Sequence, residues 1–218
     1  MIHVCDDFFN DPYHVRGIAL KQKYITERFN YPGVRSFSVP DGIGDYILSY
    51  VKYILKKPFL KIHSQCFQSI TKEFGYGIFH QDQEISDDFR IYTCINYLSL
   101  DTPLDSGTEV CDYDHPYDNL TIKHIGDRRH ITTSFHSDPS NLIKRYRYGI
   151  LKRKVNSFYK PIVKVPNKFN RFMFFPGGNI HRAQNFFGNT LRDSRLTIIG
   201  FLMYDKNPFT DIDLSVRH

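Results

Sequence analysis

The sequence predicts one mainly β domain, a jelly roll or sandwich with helical flanks. Three observations predict it. At 218 residues the chain fits one compact domain with decorations better than two full-sized ones. From Phe59 onward the apolar pattern has a period of two, in short runs separated by turn residues. The first 58 residues, read as a helical flank, carry patterns of helical period. A hydrophobic fraction of 41% against 24% charged residues suffices for a core and excludes a disordered chain. The 16% aromatic content and the scarcity of alanine, found only at 19 and 183, suit pleated surfaces.

Taken in order, Asp11-Pro12 can cap a first helix with Val15, Ile18, Ala19 and Tyr24 at helical spacing, and Tyr31-Pro32-Gly33 then breaks the chain. A second helix starts near Asp41, puts Ile43, Ile47, Tyr50, Val51, Ile54 and Leu55 on one face, and stops at Lys56-Lys57-Pro58. Strands are predicted around Leu60–Phe67 and over 74–79, 91–100, 110–113, 163–165, 172–175 and 196–204. The core therefore divides into 59–114 and 162–205, around an insertion at 115–161 that is longer than a sheet connection needs.

No basic stretch followed by an apolar core opens the chain, and no run approaches the roughly 20 apolar residues of a bilayer span. Cys5, Cys66, Cys94 and Cys111 form no CxxC pair, which argues against a zinc knuckle and a disulfide framework. A cytoplasmic protein without a membrane partner is the expectation.

The net charge of +6 hides two blocks. Residues 82–118 hold ten acids and one base, Arg90, whereas 139–171 hold ten bases and no acid, so the rest of the chain nets −4. Lys144 to Lys154 interleaves bases with tyrosines, a pattern that suits nucleic-acid phosphates and stacked bases. It suits equally a solvated flap or one paired with the acidic block.

The chemistry concentrates in three places. His80 and Asp82 are two apart, so on extended backbone they project to one side and can meet one metal ion; alone, such a pair is also an ordinary solvated strand end. His181 follows the apolar strand 171–175 and the turn Pro176-Gly177-Gly178. Two histidines and a carboxylate on one face of an octahedral ion leave positions open, the arrangement of non-haem iron oxygenases. Arg195 and Thr197 share one face of an otherwise apolar strand, and an interior guanidinium needs an anion, either a ligand or a carboxylate such as Asp82 or Asp193.

The order HxD, distal His, Arg-x-Thr resembles the 2-oxoglutarate- and Fe(II)-dependent oxygenases, in their prolyl 4-hydroxylase-like branch. Arg90 to Ser99 is similar to that branch's strand ending in Tyr-Leu-Asn, and Asn170 to Pro176 resembles the strand before its distal histidine. Asp6 to Phe9 and Tyr31 to Arg35 are similar to segments of a group of such proteins in bacteria and phages. The resemblance implies a double-stranded β-helix, cupin-like, in the cytoplasm of a bacterium or a phage-infected host. It implies Fe(II) on His80, Asp82 and His181 and the far carboxylate of 2-oxoglutarate on Arg195 with Thr197 and Tyr97. It further implies molecular oxygen as co-substrate and hydroxylation of a protein or peptide side chain, proline foremost. The chain departs from the pattern at Asn96, at Ser106-Gly107-Thr108 in place of Gly-Gly-Thr, and in the fourteen positions from His181 to Arg195, which make Arg192 a rival for the carboxylate. Two other functions remain open: a nucleic-acid-modifying oxygenase working through the basic insertion, and a non-catalytic cupin-like binding module.

Overall fold

The computed structural model describes residues 1–25, 31–82, 89–111, 131 and 134–205. Two antiparallel sheets face each other. The larger has seven strands in the order β1-β8-β5-β10-β4-β3-β2: β1 (His3–Cys5), β8 (Phe172–Pro176), β5 (Phe89–Tyr97), β10 (Arg195–Asp205), β4 (Lys61–Ile70), β3 (Val34–Ser36) and β2 (Tyr24–Ile25). The smaller has three, β7 (Pro161–Val165), β6 (Thr108–Cys111) and β9 (His181–Ala183), in the order β7-β6-β9. Acids of the 82–118 block at 84, 87, 88, 112, 114 and 118, and most of the insertion before residue 134, lie outside the described residues.

Alternation along the strands sorts the side chains into two cores. On the outer face of the large sheet, Phe67, Leu196, Ile198, Leu202, Phe172 and Phe174 pack under the helices. Those helices are α1 (Pro12–Lys21) and α2 (Asp41–Leu55), which contribute Val15, Ala19, Ile47 and Val51. On the inner face, Ile95, Tyr97, Met173, Phe175 and Ile199 meet Val110 and Val165 of the small sheet. Each buried aliphatic or aromatic side chain contributes roughly 1.5–3 kcal/mol of transfer free energy.

Both predicted helices form, but the first ends at Lys21, so Tyr24, read from its spacing as helical, belongs to β2, and α2 begins after Pro40 with no side-chain cap. Asp11 accepts a bond from the His14 amide at 3.0 Å with Pro12 in the first turn. α2 ends at Lys56 in the left-handed conformation, at φ 54°. Three further differences from the sequence reading stand out. The first 58 residues also hold β1, β2 and β3, whose two or three residues each are too short to show a period. The run 74–79 is not a strand: a single 3-10 turn (Lys72–Phe74) is followed by chain that bridges from His80 to His181 of β9 and from Tyr76 to Asn185 just beyond it. Within the insertion, α3 (Leu142–Asn156) is capped by Asn141, which accepts bonds from the amides of Ile143 and Lys144 at 3.1 Å.

Along the stretch Lys144–Lys154, α3 keeps Arg145, Arg147, Arg153 and Lys154 exposed and turns Lys152 inward. Tyr148, Lys152 and Val155, spaced four and three apart, are its buried positions. The Lys152 ammonium lies 3.6 Å from the centre of the Tyr76 ring and donates to the Tyr76 carbonyl at 3.0 Å. Other bases of the block are paired within the chain: Lys144 with Asp138, Lys164 with Glu109, and Lys168 and Arg171 with Asp6.

Candidate active site

His80 and His181 approach across the gap between two extended segments. Each backbone amide donates to the other's carbonyl at 2.9 Å, forming a two-residue bridge. Gly77 makes this approach possible, because its amide bonds to the Ala183 carbonyl and a Cβ there would stand 2.5 Å from that oxygen. Asp82 is positioned by the predicted glycine turn: its amide donates to Gly177 O at 2.9 Å, and Gln81 Nε2 donates to Gly178 O at 2.6 Å.

The outcome is a cluster in which one ligand atom from each of His80, Asp82 and His181 lies within 4.8 Å of the others. Both imidazoles are oriented from behind. His80 Nδ1 contacts the Ile78 carbonyl at 2.8 Å and His181 Nδ1 the Asn179 carbonyl at 2.9 Å, so each Nδ1 carries the proton. The Nε2 atoms therefore face the carboxylate, at 3.5 Å from Asp82 Oδ1 for His80 and 3.1 Å from Oδ2 for His181. Thr93 Oγ1 donates to Asp82 Oδ2 at 2.7 Å, and the His181 ring packs edge-on to Phe175, with centroids 4.7 Å apart.

The electrostatics suit a cation. Burial alone would raise the Asp82 carboxyl, but the adjacent His181 and His80 hold it well below the ordinary carboxylate range. Burial would likewise lower His181, and the Asp82 carboxylate overrides that and raises it. The surrounding protein and the charge on His181 lower His80, with Asp82 only partly offsetting them. The donor set of two neutral Nε2 atoms and one carboxylate fits a divalent first-row metal with open positions.

Farther along the inner face, Arg195 is 2% exposed. It donates from Nε to Ser106 O at 3.2 Å and from Nη2 to Thr108 Oγ1 at 3.3 Å. The Tyr97 hydroxyl donates to the same Thr108 oxygen at 2.7 Å. The alternative partners for Arg195 are engaged elsewhere: Asp193 takes bonds from Asn189 and Thr190, and Asp82 belongs to the histidines. No carboxylate among the described residues pairs with Arg195, and the buried Thr197 Oγ1 beside it has no hydrogen-bond partner among them. A five-donor guanidinium whose partners are neutral oxygens, next to an orphaned hydroxyl, forms a cradle for a buried anion. Arg192 is exposed, and its carbonyl accepts from Arg16 at 2.7 Å, so it lies away from this cradle.

All six residues singled out from the sequence thus lie on the inner side of the two sheets. Those not foreseen are Thr93, Ser106 and Thr108, together with Lys152 and Asn156 of α3. Asn156 Oδ1 accepts from the Phe79 amide at 2.9 Å and its Nδ2 donates to Gly77 O at 3.1 Å, which ties α3 to the segment ending in His80. Thr93 carried a readable signal, since it shares strand parity with Ile95 and Tyr97. A separate cavity of about 500 Å³ opens on the outer face of the small sheet, lined by Tyr76, Glu109, Arg153, Asn156, Arg182 and Gln184 among others. There Arg182 and Lys164 hold Glu109, at 2.6 and 3.1 Å.

No protein-family model and no curated protein matches the sequence. Solved structures do match. HygX from Streptomyces hygroscopicus, crystallised with nickel, 2-oxoglutarate and hygromycin B, superposes with a TM-score of 0.57 at 12% identity, covering 92% of this chain and 82% of its own. A prolyl hydroxylase from Trichoplax adhaerens, in complex with a hypoxia inducible factor peptide fragment, gives 0.51 at 13% identity over 94% and 83%. A prolyl-4-hydroxylase from Pseudomonas putida gives 0.50 at 15% over 92% and 91%. The two facing sheets are a double-stranded β-helix, and the fold of this chain is that of the 2-oxoglutarate/Fe-dependent oxygenases.

Proposed function

We propose that the protein is an Fe(II)- and 2-oxoglutarate-dependent dioxygenase that hydroxylates a protein or peptide side chain, with proline the leading candidate. One observation carries the reading: both imidazoles are fixed with Nε2 toward the Asp82 carboxylate, and an unpaired Arg195 lies on the same inner face. Arginine alone could hold any anion, and the histidines alone any divalent metal. Their combination, in a fold whose neighbours are crystallised with metal and 2-oxoglutarate, supports a metal-chelating dicarboxylate.

His80, Asp82 and His181 would hold the iron, which when bound supplies the oxygen activation that no side chain here can perform. The chain's own groups do the rest. Arg195 and Thr197 bind the far carboxylate of the co-substrate, and Tyr97, kept protonated by burial, braces Thr108 against Arg195. Phe175, Met173, Ile95 and Ile199 line the space between with apolar surface that excludes water. The two prolyl hydroxylase neighbours support the peptide reading. Nucleic-acid binding finds no such support. No helix among the described residues is long and apolar enough to cross a membrane.

The test is anaerobic addition of Fe(II) and 2-oxoglutarate, with the visible absorption band of the chelate as readout, followed by succinate release in air. A His181→Ala variant should lose both. Metal-replete protein that shows neither signal would leave the non-catalytic binding module as the surviving reading.

A further inference from the structure

Arg35 of β3 pairs in register with Gln68 of β4, Gln68 with Thr197 of β10, and Thr197 with Tyr97 of β5. Residues directly opposite on antiparallel strands share a face, so Arg35 belongs to the same inner row as Thr197 and Tyr97, two strands farther out. Cys66, two residues along β4 from Gln68, packs on the inner core and confirms which face this row occupies. The rim around Arg35 is built. The Arg35 Cζ lies 3.8 Å from the centroid of the Tyr31 ring, and Gln68 Nε2 donates to the Pro32 carbonyl at 3.0 Å. Gly33 turns the chain at φ +76°, where a Cβ would collide with Ser69 O.

This cation is held without being satisfied. Arg35 Nε is buried and has no acceptor, and no carboxylate among the described residues pairs with the guanidinium. A guanidinium stacked on an aromatic ring with its planar fork unfilled is pre-organised for a carboxylate or a phosphate. Arg195 and Thr197 already serve one carboxylate, which leaves Arg35 for a second anion. Thr93, bonded to Asp82, lies four residues along β5 from the Tyr97 row, or about 13 Å at strand rise. The anion therefore sits well away from the atom being oxidised, which calls for an extended molecule.

We propose that Arg35, braced by Tyr31, is a specificity-determining residue that receives a carboxylate or phosphate on the substrate, so that the substrate is a peptide carrying an anionic group remote from the oxidised position. The proposal rests on the oxygenase reading and names the substrate class of that same site.

The experiment uses the full chain, ¹⁵N-labelled and loaded with Zn(II) and 2-oxoglutarate, with the arginine Nε–H resonances as readout and Arg35→Gln to assign that of Arg35. Titration with inorganic phosphate, with acetate and with neutral acetamide should shift the Arg35 signal saturably for an anion and leave it in place for acetamide. Tyr31→Leu should weaken that binding about two- to fivefold, the worth of an exposed cation–π contact. A response to phosphate alone assigns a phosphorylated substrate, and one to acetate alone an acidic side chain. An Arg35 resonance that moves with neither anion, or equally with acetamide, overturns the proposal. The anaerobic Fe(II)–2-oxoglutarate band of the parent is read on a metal-free aliquot of the same purified protein. Its absence counts against the oxygenase reading, whereas its presence beside an unresponsive Arg35 overturns this assignment alone.

Discussion

Replacing Asn156 by alanine should loosen the proposed metal site from outside it. The side chain makes two bonds to the segment that ends in His80, accepting from the Phe79 amide and donating to the Gly77 carbonyl. Phe79 is 1% exposed, so water cannot readily replace the lost acceptor. An orphaned buried amide costs about 1–3 kcal/mol, against a total stability of roughly 5–15 kcal/mol for a domain. The variant should fold, with a lower denaturation midpoint. The larger effect should fall on the metal, because the released amide is next to His80 and removing a group that orients a ligand typically costs about 10–100-fold in affinity. Asn156→Asp keeps an oxygen for the Phe79 amide and loses only the donor to Gly77, so it should fall between parent and alanine variant. The assay is calorimetric titration of metal-free protein with Zn(II), beside denaturant unfolding of the same samples. An alanine variant that unfolds earlier yet binds zinc within twofold of the parent would refute the reasoning, since α3 would then support the fold and not the ligand.

Three further outcomes are expected. Thr93→Val, nearly the same shape, removes the 2.7 Å bond to Asp82 and should weaken zinc binding by about 10–100-fold in the same titration. Arg195→Met should raise the KM for 2-oxoglutarate by at least about 30-fold, the equivalent of roughly 2 kcal/mol or more for one partner of a buried charge pair, while Arg192→Met leaves it unchanged; equal effects would move the carboxylate site to Arg192. Lys152 is buried, which lowers its ammonium to about 8, so the unfolded chain holds the extra proton between there and its ordinary 10.5. Stability from this group therefore rises with pH across that window, and Lys152→Met should lack the rise when thermal midpoints of the two proteins are compared from pH 8 to 10.

The sequence revealed those features that repeat along the chain or are set by neighbours. α2 was legible because Ile47 and Val51 recur at helical spacing between an acidic start and Lys56-Lys57-Pro58. β10 was legible because its residues alternate between the helix side and the inner side, which also placed Arg195 and Thr197 together. β2 and β3 escaped, since strands of two and three residues contain no measurable period and exist through pairing with β4. The run 74–79 looked like a strand because Phe74, Ile78 and Phe79 are apolar, but they serve clusters under Phe135, Tyr148 and Val155, and the chain pairs only at isolated bridges. The partners of the site residues escaped for a related reason. Asn156 lies 77 positions from Phe79 and Ser106 lies 89 from Arg195, and no local pattern encodes such contacts.

The ten-base block illustrates how composition and function separate. Counted as charge, it marks the segment as a surface for an anionic polymer. In the folded chain its members have divided duties: Lys152 is buried against Tyr76, Lys164 neutralises Glu109, and Lys168 and Arg171 clamp Asp6. Desolvation explains the division, because a base drawn against protein must find carbonyls, a ring or a carboxylate, and each one that does so is lost to an external ligand. The same test applied to Arg35 gives the opposite answer. It too is drawn against a ring, but its buried Nε finds neither carbonyl nor carboxylate among the described residues. One unsatisfied guanidinium on the inner face is thus a stronger indication of substrate than ten charges in a row, and the proposed recognition lies at the β3 rim, next to β4, whose Ile70 packs with Tyr148 of the basic helix.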